Sequence, residues 1–571
     1  MSATKITPKW WHNAVVYQIY PRSFNDANGD GIGDIPGIIQ KLDYIQQLGA
    51  NVIWLSPVYQ SPMQDNGYDI SDYYTIAEVF GSMDDMEQLI ADAAQRDIKI
   101  VMDLVVNHTS DQHPWFIESK SSIDNPKRDW YIWKDPKEDG SEPNNWESFF
   151  EPKAWTLDPA SQQYYLHLFS KEQPDLNWAN PEVREAIYDM MHFWLKKGVA
   201  GFRMDVINMI GKPSDFPDAT IFDQGVAGWE HWANNLLCHQ YLREMNDKVL
   251  SHYDVLTVGE TPFTTPLDGR YYSHPDRHEM SMIFQFEHVS IDREEHNALR
   301  KPFNLIEYKA IMSKWQEQMH NVGWNSLYWS NHDQPRTVSR YGNDNSVYRE
   351  ISAKMLGTVL HMMSGTPYVY QGEEIGTTNK RFSNIDEFND LMAKFHYQKM
   401  RERGQTDQQA LDFLNFFSRD HARVPMQWNT EINAGFSTGT PWLACNRNYQ
   451  AVNADAAVAD PNSVFYHYQQ LIALRRSSEF SEAIVYGSHQ LLDPEDADVY
   501  AYMRISKHKT LLVVANFSEA IQQRNYSYAV KQCLLNNYPD LVISETITNS
   551  GTNCELSLQP YQACIFEIIT R

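Results

Sequence analysis

Acidic residues follow several short apolar runs, where they could carry out acid–base chemistry. Asp205 follows the run GFRM, Glu260 follows VLTVG, and Asp333 follows SLYWSNH. Hydrolysis of a glycosidic bond needs two carboxyl groups, one to attack or stabilise the anomeric carbon and one to protonate the leaving oxygen. Arg203 lies two residues before Asp205, on the same side of an extended strand, where it would keep that carboxylate ionised. The pattern favours glycoside hydrolysis, although any one of these acids could instead belong to a structural ion pair.

The apolar runs themselves predict the elements that position these acids. The eight runs cover residues 14–20, 52–55, 98–106, 199–206, 255–259, 282–286, 326–329 and 367–370. Continuous runs rich in Val, Ile and aromatic residues are typical of strands buried on both faces of a parallel sheet. Between them, Ser82 with Asp85 forms a helix-capping pattern, and Asn180-Pro181 marks another helix start. Eight strands alternating with helices predict an α/β fold, the (β/α)₈ TIM barrel, whose strand ends face one site.

Two parts of the chain depart from this alternation. Residues 109–178 form a connection far longer than an ordinary βα loop and are rich in Trp and Phe, which predicts a small inserted domain over the barrel. From about residue 485 the apolar runs lack helical periodicity and read as antiparallel strands. We therefore expect a barrel formed by residues 1–108 and 179–484, an inserted domain at 109–178, and a C-terminal β-sandwich at 485–571.

Composition excludes several other classes of protein. The 571 residues include 48 Lys and Arg against 74 Asp and Glu, a net charge of −26 that would repel nucleic acid. With 42% hydrophobic residues the chain is not disordered, and no apolar stretch approaches the length of a membrane span. The 17 Trp and 32 Tyr suit carbohydrate, whose C–H faces stack on aromatic rings. The five scattered cysteines and the lack of a secretory signal predict a cytoplasmic protein, which we expect to be a monomer.

Four segments in this order resemble the sequence blocks of the α-amylase superfamily, glycoside hydrolase family 13. The segments are DLVVNH (Asp103–His108), GFRMD (Gly201–Asp205), VGE (Val258–Glu260) and SNHDQ (Ser330–Gln334). A fifth, QPDLNW, resembles the block that marks the oligo-1,6-glucosidase branch, and the resemblance covers essentially the whole chain. It implies a retaining, exo-acting α-glucosidase for α-1,6 bonds of isomaltose-type sugars or isomaltulose. Asp205 would be the nucleophile, Glu260 the general acid/base, and Asp333 the carboxylate that holds the sugar hydroxyls.

The resemblance also implies a pocket for one glucose unit. Tyr68 would stack on that sugar, and Asp65 would bind its far hydroxyls together with Arg419. Arg423 lies in the same segment, SRDHAR, and is the alternative for this arginine role. Further pocket residues implied by the resemblance are His108, Phe150, Phe169, Gln173, Arg203 and His332.

Proteins similar to this family but with other activities provide the alternative functions. Sucrose isomerases carry Arg-Leu-Asp-Arg-Asp after the sixth strand and Thr after the nucleophile, whereas this chain has SIDRE at 290–294 and Val206. In the resembling branch, Val at this position accompanies a preference for α-1,6 bonds. A trehalose-6-phosphate hydrolase would need a cationic phosphate pocket, for which Lys212 is the nearby candidate. A non-catalytic barrel of the transporter-associated type lacks these acids and has a membrane span, the reverse of this chain.

A metal site is predicted just after the first strand. In the segment DANGDGIGD, oxygen ligands recur at every second position, with a glycine for the turn, as in the front half of an EF-hand loop. The predicted ligands are Asp26, Asn28, Asp30, the carbonyl of Ile32, and Asp34. Gly37 replaces the bidentate Glu of a true EF-hand, and an Asx-rich turn without metal is the alternative. We expect a structural Ca²⁺, with Mg²⁺ as the other candidate, and no organic cofactor.

Overall fold

A closed parallel barrel forms the centre of the protein, whose computed structural model describes residues 6–222, 225–294, 299–538, 547–550 and 553–569. Its strands are Val16–Ile19 (β1), Val52–Leu55 (β2), Lys99–Leu104 (β3), Gly201–Met204 (β4), Leu256–Glu260 (β5), Met282–Phe284 (β6), Ser326–Leu327 (β7) and Thr366–Tyr370 (β8). They pair in chain order from β1 to β6, and β8 pairs with both β7 and β1. A parallel bridge between Ile283 and Asn325 joins β6 to the start of β7 and closes the ring. The predicted barrel, with all eight strands, is confirmed.

Both faces of the strands are buried, as the continuous apolar runs predicted. Val16 and Val52 belong to the cluster inside the barrel, whereas the next residues, Tyr17 and Ile53, pack against the surrounding helices. Alternate side chains point to opposite faces of a strand, so each run contributes to two apolar layers. Among the described residues, no helix has both the length and the apolar character needed to cross a bilayer.

Helices follow the strands, and several begin at side-chain caps. The longer ones are Met83–Ala94, Pro114–Ser121, Pro181–Lys196, Leu236–Lys248, Pro266–Ser273, Leu305–Met319, Arg349–His361, Leu391–Glu402, Asp407–Phe417 and Val464–Arg476. The shorter ones include Ile35–Ile39, Leu42–Leu48, Trp229–Trp232, Thr337–Tyr341, Asp420–Arg423 and Ala454–Ala459. Ser82 and Asp85 form the expected reciprocal capping box, and the side chain of Asn180 accepts from the N–H of Glu182 at 2.9 Å. These caps satisfy backbone donors that a helix leaves unpaired at its start.

A roof over the barrel contains a three-stranded antiparallel sheet inserted after β3. Its strands are Trp133–Lys134, Trp155–Asp158 and Gln163–Leu166. The segment after β4 also joins this roof, which sequence analysis did not anticipate. The indole of Trp146 donates to the carbonyl of Pro217 at 2.9 Å, and the amide of Asn144 donates to that of Phe216 at 3.2 Å.

Two antiparallel sheets form the C-terminal part of the chain, as predicted. The larger contains, in spatial order, Ser488–Leu492, Val499–Ile505, Thr510–Asn516, Ala563–Ile568 and Val530–Asn536. The smaller contains Gln522–Tyr526, Asn553–Leu558 and Ile547–Ser550. Leu512, Leu556 and Phe566 are buried in one cluster with residues of both sheets. All five cysteines are free thiols.

Candidate active site

One arginine connects acids from three adjacent barrel strands. Nη1 of Arg203 donates to Asp103 Oδ1 at 2.8 Å and to Asp205 Oδ1 at 2.6 Å, and Nη2 donates to Glu260 Oε2. The arginine side chain is only 1% exposed. The structure thus brings together two of the predicted catalytic acids, and it adds Asp103, for which no catalytic role was predicted. The indole of Trp54 donates to the other oxygen of Asp103 at 3.2 Å.

These carboxyl groups bind protons more tightly than carboxyls in water. Burial raises the pKa of Asp205 and of Glu260 to about 7, and that of Asp103 to about 6. Arg203 opposes each increase, because its positive charge favours the ionised carboxylates. Since three carboxyl groups surround one arginine, the cluster retains a proton close to neutral pH and titrates as a unit.

Tyr68 and His332 connect this cluster to the third predicted catalytic acid. The Tyr68 hydroxyl donates to Asp103 Oδ2 at 3.0 Å and lies 2.7 Å from His332 Nε2, with the two rings stacked 5.3 Å apart. Nε2 of His332 is also 2.9 Å from Asp333 Oδ2, and its Nδ1 is 2.8 Å from the amide of Gln18. Tyr68 therefore has a fixed hydroxyl, and Asp333 lies at the same face of the barrel as the other acids.

Two arginines bind Asp333, and only one of them contacts Asp65. Nη2 of Arg419 lies 3.5 Å from Asp65 Oδ1, and Nη1 donates to Asp333 Oδ1 at 3.3 Å. Arg423 donates to the same Asp333 oxygen at 2.8 Å. Asp390 fixes Arg419 through bonds of 3.0 and 2.6 Å, a role that sequence analysis missed. Its only sequence signal is its position before an apolar helix, where it caps the helix that starts at the next residue.

The inserted roof contributes the remaining predicted pocket residues. The amide of Gln173 donates to Asp65 Oδ2 at 3.2 Å and lies 3.2 Å from His108 Nε2. The ring of Phe169 lies 5.0 Å from that of His108, and the ring of Phe150 lies 5.2 Å from the Arg419 guanidinium. These contacts place the roof directly against the side of the pocket formed by Asp65 and Arg419.

Lys212, the predicted phosphate candidate, is engaged elsewhere. Its Nζ lies 2.6 Å from Asp175 Oδ2 and donates to Asn107 Oδ1 at 2.6 Å. The side chain is 3% exposed, and its acid partner is fully buried. The charge of Lys212 is therefore neutralised inside the protein, and the expectation that it serves a phosphate pocket is not supported by this geometry.

Val206 marks a sharp change in chain direction after Asp205. β4 ends at Met204, and Val206 adopts left-handed backbone angles, φ 35° and ψ 38°. Its N–H donates to Glu260 Oε2 at 3.3 Å. The side chain is buried in the apolar cluster of the roof, with Trp232 among its members. The chain thus turns at this residue, and its branched side chain lies between the acids and the roof.

The predicted metal loop is a series of turns in which side-chain oxygens accept from backbone N–H groups further along the loop. Asp26, Asn28 and Asp30 each accept from the backbone N–H two residues ahead, at 3.1, 2.8 and 2.8 Å. Asp34 accepts from the N–H of Ala27, at 3.4 and 3.2 Å, which brings the last ligand back to the first. No group of three or more His, Cys, Asp or Glu in the described ranges is placed to hold an ion. An ion here would therefore also need Asn28 and a backbone carbonyl, a hard oxygen set that fits Ca²⁺ or Mg²⁺.

Comparison with known proteins agrees with this geometry. The alpha-amylase catalytic domain matches residues 18–487. The oligo-1,6-glucosidase of Parageobacillus thermoglucosidasius is 50% identical over 567 residues, covering 98% of this chain and 99% of that protein. The trehalose-6-phosphate hydrolase of Bacillus subtilis is 51% identical over 517 residues, 90% of each. The crystal structure of isomaltulose synthase from Erwinia rhapontici NX5 matches with a TM-score of 0.94 and 41% identity, covering 99% of this chain and 100% of that one.

A barrel with carboxylates at its strand ends and these relatives define a carbohydrate-active enzyme. The chain belongs to the α-amylase family, and it is a glycoside hydrolase. The resemblance stated from its four sequence blocks is confirmed. Its glucosidase relatives act on small oligosaccharides.

Replacing Arg203 tests the central charge balance. Arg203→Met leaves three buried carboxyl groups without their cation, which we expect to lower the free energy of unfolding by about 3–5 kcal/mol at about pH 8. A carboxyl whose pKa is raised by folding lowers the free energy of unfolding once it is ionised. The destabilisation caused by Arg203→Met should therefore become smaller as the pH falls to about 5, where these carboxyls are protonated. Urea unfolding at the two pH values measures this difference.

Arg475→Met is the matched control. Arg475 is equally buried, but its partners are backbone carbonyls, including those of His361 at 3.0 Å and Met363 at 2.8 Å. Its loss should therefore destabilise the protein by the same amount at both pH values. An equally pH-independent loss for Arg203→Met would contradict the proposed balance of charge.

Proposed function

We propose that the protein is a retaining, exo-acting α-glucosidase that hydrolyses α-1,6 bonds at the non-reducing end of isomaltose-type oligosaccharides or isomaltulose. The observation that carries this proposal is the joint binding of Asp205 and Glu260 to one guanidinium group. A retaining mechanism needs its two carboxyl groups only about 5–5.5 Å apart. Because both carboxylates bind neighbouring nitrogens of Arg203, they lie close together, as that spacing requires.

Each acid has a distinct task in this mechanism. Asp205 attacks the anomeric carbon while Glu260 donates its proton to the leaving oxygen, which gives a covalent glucosyl-enzyme and a free aglycone. Glu260 then takes a proton from water, which attacks the same carbon and releases glucose. The raised pKa of Glu260, about 7 through burial, lets this acid carry a proton near neutral pH when substrate arrives. Asp333 binds the hydroxyls of the sugar ring in the transition state.

The pocket is shaped for the terminal glucose of a chain. Asp65 and Arg419 close its far end, and Gln173 from the roof donates to Asp65. Tyr68 presents its ring beside the sugar, with Phe150, Phe169, His108 and His332 as further walls. The contact between Arg419 and Asp65 would block the far side of the bound glucose, so that a chain enters by its end, which supports exo-action.

Relatives support the α-1,6 preference, and two local observations count against the alternative reactions. Relatives named oligo-1,6-glucosidase cover nearly the whole chain. Lys212, the candidate for binding a phosphate, is paired with Asp175, which disfavours a phosphorylated sugar. Asp292, in the stretch that corresponds to the isomerase loop, is bonded to the buried Arg340 at 2.6 and 2.7 Å. The isomerase loop has Arg and Asp where this stretch has Ser290 and Glu294, and these two departures disfavour isomerisation.

We further propose a structural Ca²⁺, or Mg²⁺, in the loop formed by Asp26, Asn28, Asp30, Ile32 and Asp34. The Gly31 carbonyl of this loop accepts from the N–H of Trp442 at 3.0 Å, so an ion would stabilise a contact between distant parts of the chain. We also propose that the enzyme works as a cytoplasmic monomer without an organic cofactor. Free thiols at all five cysteines support the reducing compartment.

Replacing either proposed catalytic acid tests the mechanism. Asp205→Asn or Glu260→Gln should lower kcat on isomaltose by several orders of magnitude without unfolding the protein. Asp43→Asn, on an exposed acid paired with Arg96, should keep full activity. NMR of the wild-type reaction should show α-glucose as the first product, because a retaining reaction keeps the anomeric configuration. Initial β-glucose would contradict the retaining mechanism.

Val206→Thr tests the linkage preference. An apolar side chain beside the acids should disfavour an α-1,4 aglycone, whose polar groups would lie against it, whereas the extra rotatable bond of an α-1,6 linkage lets the aglycone avoid it. Thr has nearly the same shape as Val but adds a hydroxyl that can hydrogen-bond to such groups. A single change of this kind in a pocket alters kcat/KM by about 10–200-fold, so the isomaltose-to-maltose ratio should fall about tenfold. Val183→Thr, on a fully buried helical valine, should cost stability at an unchanged ratio. A wild-type enzyme that cleaves both disaccharides equally would leave only a general α-glucosidase.

Removing the metal tests its structural role. A ligand bound only by the folded state adds RT ln(1 + [L]/Kd) to stability, so EDTA should lower the Tm and added Ca²⁺ should restore it. Asp30→Asn should abolish this response to EDTA. Turnover well below the Tm should remain unchanged. Loss of turnover at a constant Tm would instead indicate a metal in the catalytic step.

A further inference from the structure

Three residues other than glycine adopt left-handed backbone angles around the acids. Val206 has φ 35°, Asn234 has φ 55°, and Phe263, three residues after Glu260, has φ 60°. Asn tolerates this conformation, whereas β-branched and bulky residues adopt it rarely and at a cost. Strain of this kind persists only where the surrounding contacts enforce it. The turn after β5, which contains Phe263, is therefore held in this conformation by the contacts around it.

Two buried side-chain amides hold the backbone of this turn. Nδ2 of Asn208 donates to the carbonyl of Pro262 at 2.7 Å and to Asn234 Oδ1 at 3.0 Å. Nδ2 of Asn234 in turn donates to the carbonyl of Phe263 at 3.0 Å, and its Oδ1 accepts from the hydroxyl of Tyr272 at 2.9 Å. Asn208 is fully buried, at 0% exposure. The carbonyls of Pro262 and Phe263, in the turn after the strand that ends at Glu260, are thus bound to one pair of amides.

Asn208 links this turn to the segment that carries the nucleophile. It lies in the short helix Ile207–Met209, directly after Val206, whose N–H donates to Glu260 Oε2. Arg203 donates to the same oxygen from within β4. The position of the Glu260 carboxyl relative to β4 therefore depends on how far the turn after β5 lies from the helix that contains Asn208. The Asn208 amide spans that distance directly.

We propose that Asn208 is a positioning residue for the acid/base Glu260. By holding the turn after β5 against the segment after β4, it keeps one oxygen of Glu260 on Arg203 and the Val206 N–H, which leaves the other for proton transfer to the aglycone oxygen. This inference rests on the proposed role of Glu260. Asn208 makes no contact with the reacting atoms, so it acts only through the proton transfers of Glu260, and the first of these depends on the leaving group.

Substrates with different leaving groups test this role. Isomaltose releases a sugar alkoxide, which needs a proton, whereas p-nitrophenyl α-glucoside releases a phenolate that needs little help. Asn208→Ala should lower kcat/KM on isomaltose about 30–100-fold, because kcat/KM reports the step in which the leaving oxygen takes its proton, and a small misplacement of a catalytic group costs about this much. The loss on p-nitrophenyl α-glucoside should stay below about 5-fold. Equal losses on the two substrates overturn the proposal.

A second substitution keeps the shape of the side chain. Asn208→Asp is isosteric but removes both N–H donors, and it should show the same difference between the two substrates. If Asn208→Ala folds poorly, Asn234→Ala can be tested instead, because it removes the bond to the carbonyl of Phe263 and keeps the bond from Asn208 to Pro262. It should show the same difference between the substrates, with a smaller loss of activity on isomaltose. Circular dichroism and the Tm verify that each variant is folded at the assay temperature.

Two reference variants separate the ways in which the proposal can fail. Asn537, 1% exposed, donates to the carbonyls of Ile351 at 3.0 Å and Tyr561 at 2.8 Å, far along the chain from the acids. Asn537→Ala should lower the Tm without changing the ratio between the substrates. Glu260→Gln should lose isomaltose activity preferentially. If it does and the Asn208 variants do not, the inference fails and the proposed function stands. If Glu260→Gln itself shows no preference, the role assigned to Glu260 is wrong.

Discussion

A single arginine among three buried carboxyl groups is the constraint on which the site depends, and the barrel register makes it achievable. Asp103 lies opposite Arg203 in the pairing of β3 with β4, and Val258 lies opposite Arg203 in the pairing of β5 with β4. Because side chains alternate along a strand, Glu260, two residues after Val258, points to the same side as Arg203, and so does Asp103. A slip of one residue in either pairing would turn an acid away from the arginine. The chemistry therefore requires this one strand register.

The acids of the site differ in how much positive charge surrounds them, and this difference determines which of them retain a proton. Asp205 and Glu260 depend mainly on Arg203, and burial leaves both with a pKa of about 7. Burial also acts to raise the pKa of Asp333, but His332, Arg419 and Arg423 hold it well below its ordinary value. The site thus contains one permanently ionised carboxylate and a pair that retains a proton near neutrality. A reaction that needs an ionised nucleophile beside a protonated acid starts from that distribution.

The sequence predicted the strands and their terminal acids because both are local patterns. A buried parallel strand requires a continuous apolar run, and the residue types after each run are visible without the fold. The sequence could not predict contacts that depend on the packing of distant segments. Asp390, which fixes Arg419, looks like an ordinary helix cap. Asn208 looks like any polar residue after a strand, and only the folded chain brings it to Pro262. Lys212 was the candidate for the phosphate pocket that a trehalose-6-phosphate hydrolase would need, but the roof supplies Asp175 as its partner.

This division between strands and loops explains why overall identity says little about substrate. Relatives named oligo-1,6-glucosidase and trehalose-6-phosphate hydrolase are 50% and 51% identical to this chain, and an isomaltulose synthase at 41% has nearly the same fold. The reaction with the anomeric carbon is handled at strand ends, where the charge balance around Arg203 tolerates little change. We propose that the fate of the aglycone is decided by residues on the segments after the strands, such as Val206, where a side chain can vary without disturbing the barrel register. Specificity then depends on these positions individually rather than on overall identity.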